Sequence, residues 1–513
     1  MAAIVAAPVA AQTAPAADRQ SVEAQINELR AMRDSMAKQM STFDGKINAL
    51  EAQLQAQTIK STGASPPVAT AAAPPAITAP APTAVASAAP ANGTILVNPN
   101  EPSVSDGAKL LQPKTWGTQE PYKGFVLART DRGEVDMTVV AYFRYLNQNA
   151  LEPTYTDYFG RKTTLDLKQD FQFNKVNLTF KGWLYDERLR WLVFLWTNNA
   201  TQGDAAQVVI AGNFTFRFSK ALTLGAGINS VPSTRSLTLN YPNWLRNDNR
   251  LMADEFFRGS FTTGVWIDGF LGDKVQYEVM VANNLSQLGV SAAQLSPSLN
   301  TASGYVRWMP STGEFGPLAG FGDYENHQEL ATLFEAHYTY SREDAQEQPS
   351  TNAVENSQIR LSDGTRIFDP NIFGTQYRIR KATYQMAAVD AGVKYRGYAL
   401  EGEAYARWVN DFETTGPLPY SKLFDTGISL QASAMLVESK LQAFTTFSQI
   451  WGEFGDPTEV AVGLNWYPFA TKGFRISPNA LWLDKSPVGY SGVPYVVGGQ
   501  GWVFYVDAAI AIF

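Results

Sequence analysis

The chain contains no cysteine and only two histidines, His327 and His337, in 513 residues. The first absence excludes a disulfide scaffold, a thiolate metal site and a cysteine nucleophile. The second leaves little material for a multi-histidine metal centre or a Ser/His/Asp triad. Charge is sparse too: charged residues make up 17%, and 41 basic against 48 acidic side chains give a net charge of -7. A nucleic-acid binder would ordinarily show a basic excess. No stretch of about 18 apolar residues occurs, so no transmembrane helix is expected.

What the chain has in quantity is apolar and aromatic surface, 45% and 12% of residues. Few charges with many aromatics suit a membrane β-barrel, in which half of each strand faces lipid and the other half water.

Residues 1–11 form an apolar, alanine-rich run ending in Val9-Ala10-Ala11, which reads as the remainder of a signal peptide. Residues 18–57 follow with the clearest periodicity in the chain. Val22, Leu29, Met36, Phe43 and Leu50 recur every seven residues, interleaved with Ile26, Arg33, Met40, Ile47 and Leu54. This a/d heptad pattern predicts a coiled coil, because one helix of this length cannot bury such a stripe alone. Arg33 in the seam would set register and oligomer state. From 58 to 115 runs a Pro/Ala-rich linker. Its part from Ser61 to Asn100 has no charged residue, and its prolines at 66, 67, 74, 75, 80, 82, 90 and 99 break any helix.

From about residue 120 to 513 the pattern becomes one of short alternating segments separated by polar turns. Val389, Ala391, Val393 and Tyr395 alternate with Asp390, Gly392, Lys394 and Arg396; Val460, Val462, Leu464 and Trp466 alternate with Glu459, Ala461, Gly463 and Asn465. Period-two patterning gives a strand one apolar and one polar face. About sixteen such segments fit between Glu134 and Phe513, roughly 24 residues for each strand with its loop, and a barrel strand needs about 9–11 to cross a bilayer. A single sixteen-stranded antiparallel barrel is the expected fold. Tyr142, Trp183, Trp196, Trp266, Trp408, Trp466 and Tyr467 at strand ends are expected to form interfacial girdles. The chain ends on an alternating strand closing at Phe513, as barrel-targeting signals do.

The residues carry a family resemblance. Gly124-Phe125-Val126-Leu127 with Gly133-Glu134-Val135-Asp136, Phe173 to Asp186 (FNKVNLTFKGWLYD), Asp254 to Gly269 (DEFFRGSFTTGVWIDG), Val275-Gln276-Tyr277, Ala282-Asn283-Asn284 and Thr458 to Pro468 (TEVAVGLNWYP) resemble the phosphate-selective porin O and P family of Gram-negative outer membranes. Where that family carries arginines in its second strand, this chain has Asn174 and Asn177. The resemblance implies a homotrimer of barrels in the outer membrane, each a water-filled pore for passive diffusion of small hydrophilic solutes or ions, with an anion or phosphate preference. No cofactor and no catalysis are expected.

Candidate pore residues are the lumen-facing Arg144, Lys175, Lys181, Arg217, Lys394, Arg396 and Arg407. Arg235, Arg246, Arg250 and Arg258 lie in a stretch expected to form a constriction loop. Asp136, Asp390, Glu401, Glu403 and Glu459 share the lumen face, and mixed signs build only weak selectivity. The carboxylate pairs Glu401/Glu403 and Glu134/Asp136 come with no recognisable third partner, so lumen charge accounts for them better than catalysis does. The other functional reading is structural: a periplasmic coiled coil tethering the outer membrane to peptidoglycan or another envelope component.

Overall fold

The structure is a computed structural model that describes residues 118–513, apart from 121–122, 199–206, 248–249, 291–293, 296–297, 350–356, 491 and 513. The expected signal-peptide remnant, coiled coil and linker lie outside the described residues.

Alternation dictates strand after strand. In chain order these are β1 (Thr118–Glu120), β2 (Gly124–Thr130), β3 (Gly133–Leu151), the short hairpin β4 (Thr154–Thr156) and β5 (Lys162–Thr164), β6 (Gln169–Leu184), β7 (Asp186–Asn198), β8 (Gln207–Ser219), β9 (Leu222–Ser230) and β10 (Phe261–Leu271). Then come β11 (Val275–Ala282), β12 (Thr301–Trp308), β13 (Ala331–Asp344), β14 (Ile379–Tyr395), β15 (Tyr398–Thr414), β16 (Leu423–Val437), β17 (Leu441–Trp451), β18 (Thr458–Trp466), β19 (Phe474–Asp484) and β20 (Gly501–Ile512). Among the described residues one short α-helix, α1 (Met252–Phe257), lies between β9 and β10. Among the described residues no helix is long and apolar enough to cross a membrane.

From β6 to β20 each strand pairs antiparallel with its successor, and β20 returns to β3, so sixteen strands close into a barrel. Closure removes the exposed backbone edges that an open sheet would present. The seam is shared: β20 pairs with β3 from Leu151 down to Val139, and β2 takes over at Met137, continuing the line of β20. The β14–β15 hairpin turns on Arg396 (φ 49°) and Gly397 (φ 83°), the left-handed pair that a two-residue turn between twisted strands requires.

The two faces are inverted relative to a water-soluble protein. Val389 is 58% exposed beside Asp390 at 4%, and Leu400 is 60% exposed beside Glu401 at 2%. The last strand follows the same rule, with Trp502, Phe504, Val506 and Ile510 outward and Asp507 inward. Two outward aromatic belts flank the apolar band. At the end where most connections are short lie Trp308, Phe334, Tyr395, Tyr398, Trp466 and Phe469; at the long-loop end lie Trp408, Phe424, Trp451 and Trp502. The girdle expectation needs correcting for Tyr142, Trp196, Trp266 and Tyr467, which are buried inside the barrel. Trp266 sits against Gly225, where a Cβ would come within 2.1 Å of the ring, so an inward tryptophan is accommodated by a missing side chain on the neighbouring strand.

The interior is packed as well as charged. Residues of α1, of 357–378 and of 486–496 join inward side chains of the wall in one apolar cluster containing Phe256, Phe257, Ile367, Phe373, Tyr405 and Tyr495. Across the seam Arg144 Nε donates to Asp507 Oδ1 at 2.7 Å and Nη2 to Oδ2 at 3.1 Å, both residues being buried. Removing one member of such a pair strands the other charge, at a cost of about 3–5 kcal/mol. Arg144→Met is therefore expected to lower the midpoint for loss of the folded, heat-modifiable band on electrophoresis. Arg144→Met with Asp507→Asn should recover much of that loss; equal destabilisation in the single and double variants would contradict a charge-paired seam.

Candidate functional site

Besides 357–378 and 486–496, two further connections among the described residues leave the wall and fold inward. The first, residues 231–260 between β9 and β10, is held on one side of the lumen by charge. Arg235 has no exposed surface. It donates from Nη1 to Asp390 Oδ1 (3.0 Å), from Nη2 to Glu401 Oε1 (2.6 Å) and from Nε to the carbonyl of Ala319 (2.9 Å). Its guanidinium also lies 4.2 Å from the ring centre of Phe321. Further along, Arg246 pairs with Glu459 at 2.7 Å, while the other oxygen of Glu459 accepts from the backbone N–H of Met252 at 2.8 Å. Ser448 Oγ accepts from the N–H of Ala253 at 2.8 Å, so both fixed donors at the start of α1 end on the barrel wall. Arg258 closes on Glu255 at 2.6 Å.

The second inward connection is 309–330, between β12 and β13. Every other connection at this end is short, from the single residue Tyr185 to the turn 467–473. Phe315 and Asp323 are fully buried. Lys394 donates to the carbonyls of Phe315 (2.8 Å) and Gly320 (2.6 Å), and the N–H of Gly322 donates to Glu401 Oε2 (2.8 Å). At its far end His327 pairs with Asp323 through Nδ1 and with Glu314 through Nε2 at 2.9 Å. Asp323 also accepts from the N–H of Gly397 at 2.7 Å, tying the connection to the β14–β15 turn.

These two segments occupy the β13–β20 side and leave a cavity of about 1080 Å³ against the β3–β12 wall. Its lining runs from Ser439, Thr471 and Lys472 at the short-turn end to Tyr490 and Gly492 at the other. Lys175, Lys181, Arg250, Arg307 and Lys472 supply positive charge; Asp268, Glu278 and Glu325 supply negative. Aromatic faces are also present, among them Tyr142, Trp196 and Trp266, with the Lys175 ammonium 4.2 Å from the Trp196 ring centre.

The structure thus divides the candidate pore residues. Lys175, Lys181 and Arg250 line the cavity. Arg144, Arg235, Arg246, Arg258, Lys394 and Arg407 are buried among carboxylates or carbonyls outside its lining; Arg407, for example, pairs with Asp425 at 2.7 Å and lies 3.9 Å from the Phe256 ring centre. Arg217 is half-buried on β8, and Arg396 is exposed in its turn. The carboxylate pairs have structural partners: Glu401 meets Arg235, and Glu134 meets Lys123 at 2.5 Å. Arg307, Lys472, Asp268, Glu278 and Glu325 were absent from the sequence candidates. Arg307 alternates in phase with Thr301, Ser303 and Tyr305 and was legible; Lys472 and Glu325 sit in connections, where no period marks a direction.

No family model and no curated protein matches the chain. Among solved structures, similarity is found to an anion-selective porin from Comamonas acidovorans (10% identity, 74% of this chain and 99% of that one, TM-score 0.46). It is also found to OmpT, an outer membrane protein of Vibrio cholerae in its trimer form (12%, 74% and 100%, 0.46), and to the outer membrane channel DcaP of Acinetobacter baumannii (11%, 76% and 99%, 0.44).

The His327 latch titrates. Burial pulls its pKa down, but the hydrogen bonds to Asp323 and Glu314 outweigh this and lift it to about 9, while the same contacts hold both carboxylates below their usual range. A raised histidine pKa gives stabilisation that is complete below about pH 6.5 and is lost as pH climbs through about 9. Proteolysis within 309–330, measured relative to cutting within 357–378, should accelerate between pH 7 and pH 10 in the wild type. His327→Ala should be cut fast at both; a wild-type ratio that does not change with pH would contradict the latch.

Proposed function

We propose that this chain is an outer-membrane channel through which small hydrophilic solutes or ions diffuse passively. The observation that carries the reading is the inversion of its faces on a closed barrel: charged side chains inside, apolar side chains and two aromatic belts outside, with an open lane along one inner wall. Burying a row of carboxylates and guanidinium groups while exposing Val, Leu, Phe and Trp is unfavourable in water and favourable in a bilayer. The expected anion or phosphate preference is the finer part of the proposal. It is supported by Lys175 and Lys181 on one wall of the lane, a modest positive charge that suits weak selectivity.

Assembly as a homotrimer among outer-membrane lipids belongs to the same proposal. So does the periplasmic coiled coil of 18–57, whose apolar stripe from Val22 to Leu54 needs partner helices and would bring three chains together below the barrels. A tether to peptidoglycan or another envelope component is a second role, favoured by that stripe and the uncharged linker, which a diffusion channel does not need.

Single-channel recording in planar bilayers tests the reading. The wild type should conduct, and Lys175→Gln with Lys181→Gln should move the reversal potential toward cation preference by removing two positive charges from the lane. Deleting 18–57 should leave conductance unchanged and abolish co-sedimentation with peptidoglycan. A silent wild type ends the channel reading; an unmoved reversal potential places the two lysines off the path; and retained co-sedimentation ends the tether reading.

A further inference from the structure

The connection 309–330 does more than fill space. Its crest, Gly316 to Ala319, and then Tyr324 and Glu325, form part of the cavity lining at the short-turn end. The crest is rigidly backed: Phe315, Ala319 and Gly320 give their carbonyls to Lys394 and Arg235, and the N–H of Phe321 donates to the carbonyl of Asn243 at 2.8 Å. Opposite it, Lys472 reaches out of the turn 467–473 to Glu325 at 2.6 Å, with its ammonium 5.3 Å from the centre of the Tyr324 ring.

This ion pair differs from those of Arg307 and Arg250. Arg307 and Arg250 line the cavity but pair with Glu335 and with Asp254 and Glu255, which do not. In Glu325–Lys472 both partners line the cavity, and their side chains keep 22% and 14% of their surface. Glu325 is held below the usual carboxylate range because Lys472 and Lys394 overcome the effect of its burial. The pair joins two separate connections across one mouth of the lane, where a permeating ion can exchange with either partner.

Building on the channel reading above, we propose that Glu325 and Lys472, presented by the inward connection 309–330, form a second ion-selective constriction at the short-turn end, distinct from the loop 231–260. Its ligands are small ions in transit, anionic groups exchanging onto Lys472 and cations onto Glu325. The fixed crest supplies the geometry that keeps the two charges in the path.

The native chain has no cysteine, so a single introduced thiol reports one position. Glu325→Cys and, separately, Lys472→Cys are made in the full chain and treated with a negatively or a positively charged methanethiosulfonate reagent. The expected result is that both thiols react, shown by mass, that each adduct lowers single-channel conductance, and that the two reagent charges displace the reversal potential in opposite directions. Thiols that do not react, or that react without changing conductance or reversal potential in a channel whose wild type conducts, overturn the second constriction and leave the channel reading standing. A silent wild type overturns both. The two variants sit on different connections, so loss of folding in one leaves the other to decide.

Discussion

A guanidinium taken wholly out of water must recover its hydration from fixed partners, and Arg235 recovers it from groups on three separate parts of the chain. Asp390 and Glu401 belong to neighbouring strands of the wall, the carbonyls of Ala319 and Gly320 to the inward connection 309–330, and Arg235 itself to the inward loop 231–260. Such a cluster adds little net stability over a well-packed apolar one, because desolvation offsets the attraction. Its effect is positional: the loop can lie in only one place without stranding three charges. The lumen is consequently filled on the β13–β20 side, and the open lane is confined to the β3–β12 side.

The same physics explains why so many charges lie inside yet so few face the lane. Arg144–Asp507, Arg246–Glu459 and Arg407–Asp425 are neutralised within the wall or between wall and loop. Counting lumen-facing charges along the strands therefore overstates the charge a solute meets. What remains for the solute is a handful of cations and carboxylates beside aromatic faces.

The barrel was legible from alternation because the period of a strand is fixed by the backbone and each side chain declares its face. Val389 to Tyr395 outward and Asp390 to Lys394 inward follow directly, and so does the strand order, since short polar turns leave antiparallel neighbours as the simplest connection. The inward aromatics Tyr142, Trp196 and Trp266 were misassigned because position near a strand end was weighed above phase. The connections were the harder part. Arg246 and Arg250 stand four residues apart in one loop, yet one is sealed against Glu459 and the other lines the cavity, a difference set by which wall residues the loop meets and not by any local pattern. Glu325 and Lys472 are 2.6 Å apart in space and far apart in the chain, so only the closed barrel brings them together.

Arg235 is the residue that confines the loop and the inward connection to one side. The direct measurement is the single-channel current of Arg235→Met beside that of the wild type, in protein shown by electrophoresis to retain its folded barrel. A wild type with one steady conductance and an Arg235→Met channel with added current noise and a changed conductance is the predicted result, since Asp390 and Glu401 would then repel each other and release both segments into the lane. An Arg235→Met channel with the conductance, noise and reversal potential of the wild type would contradict it.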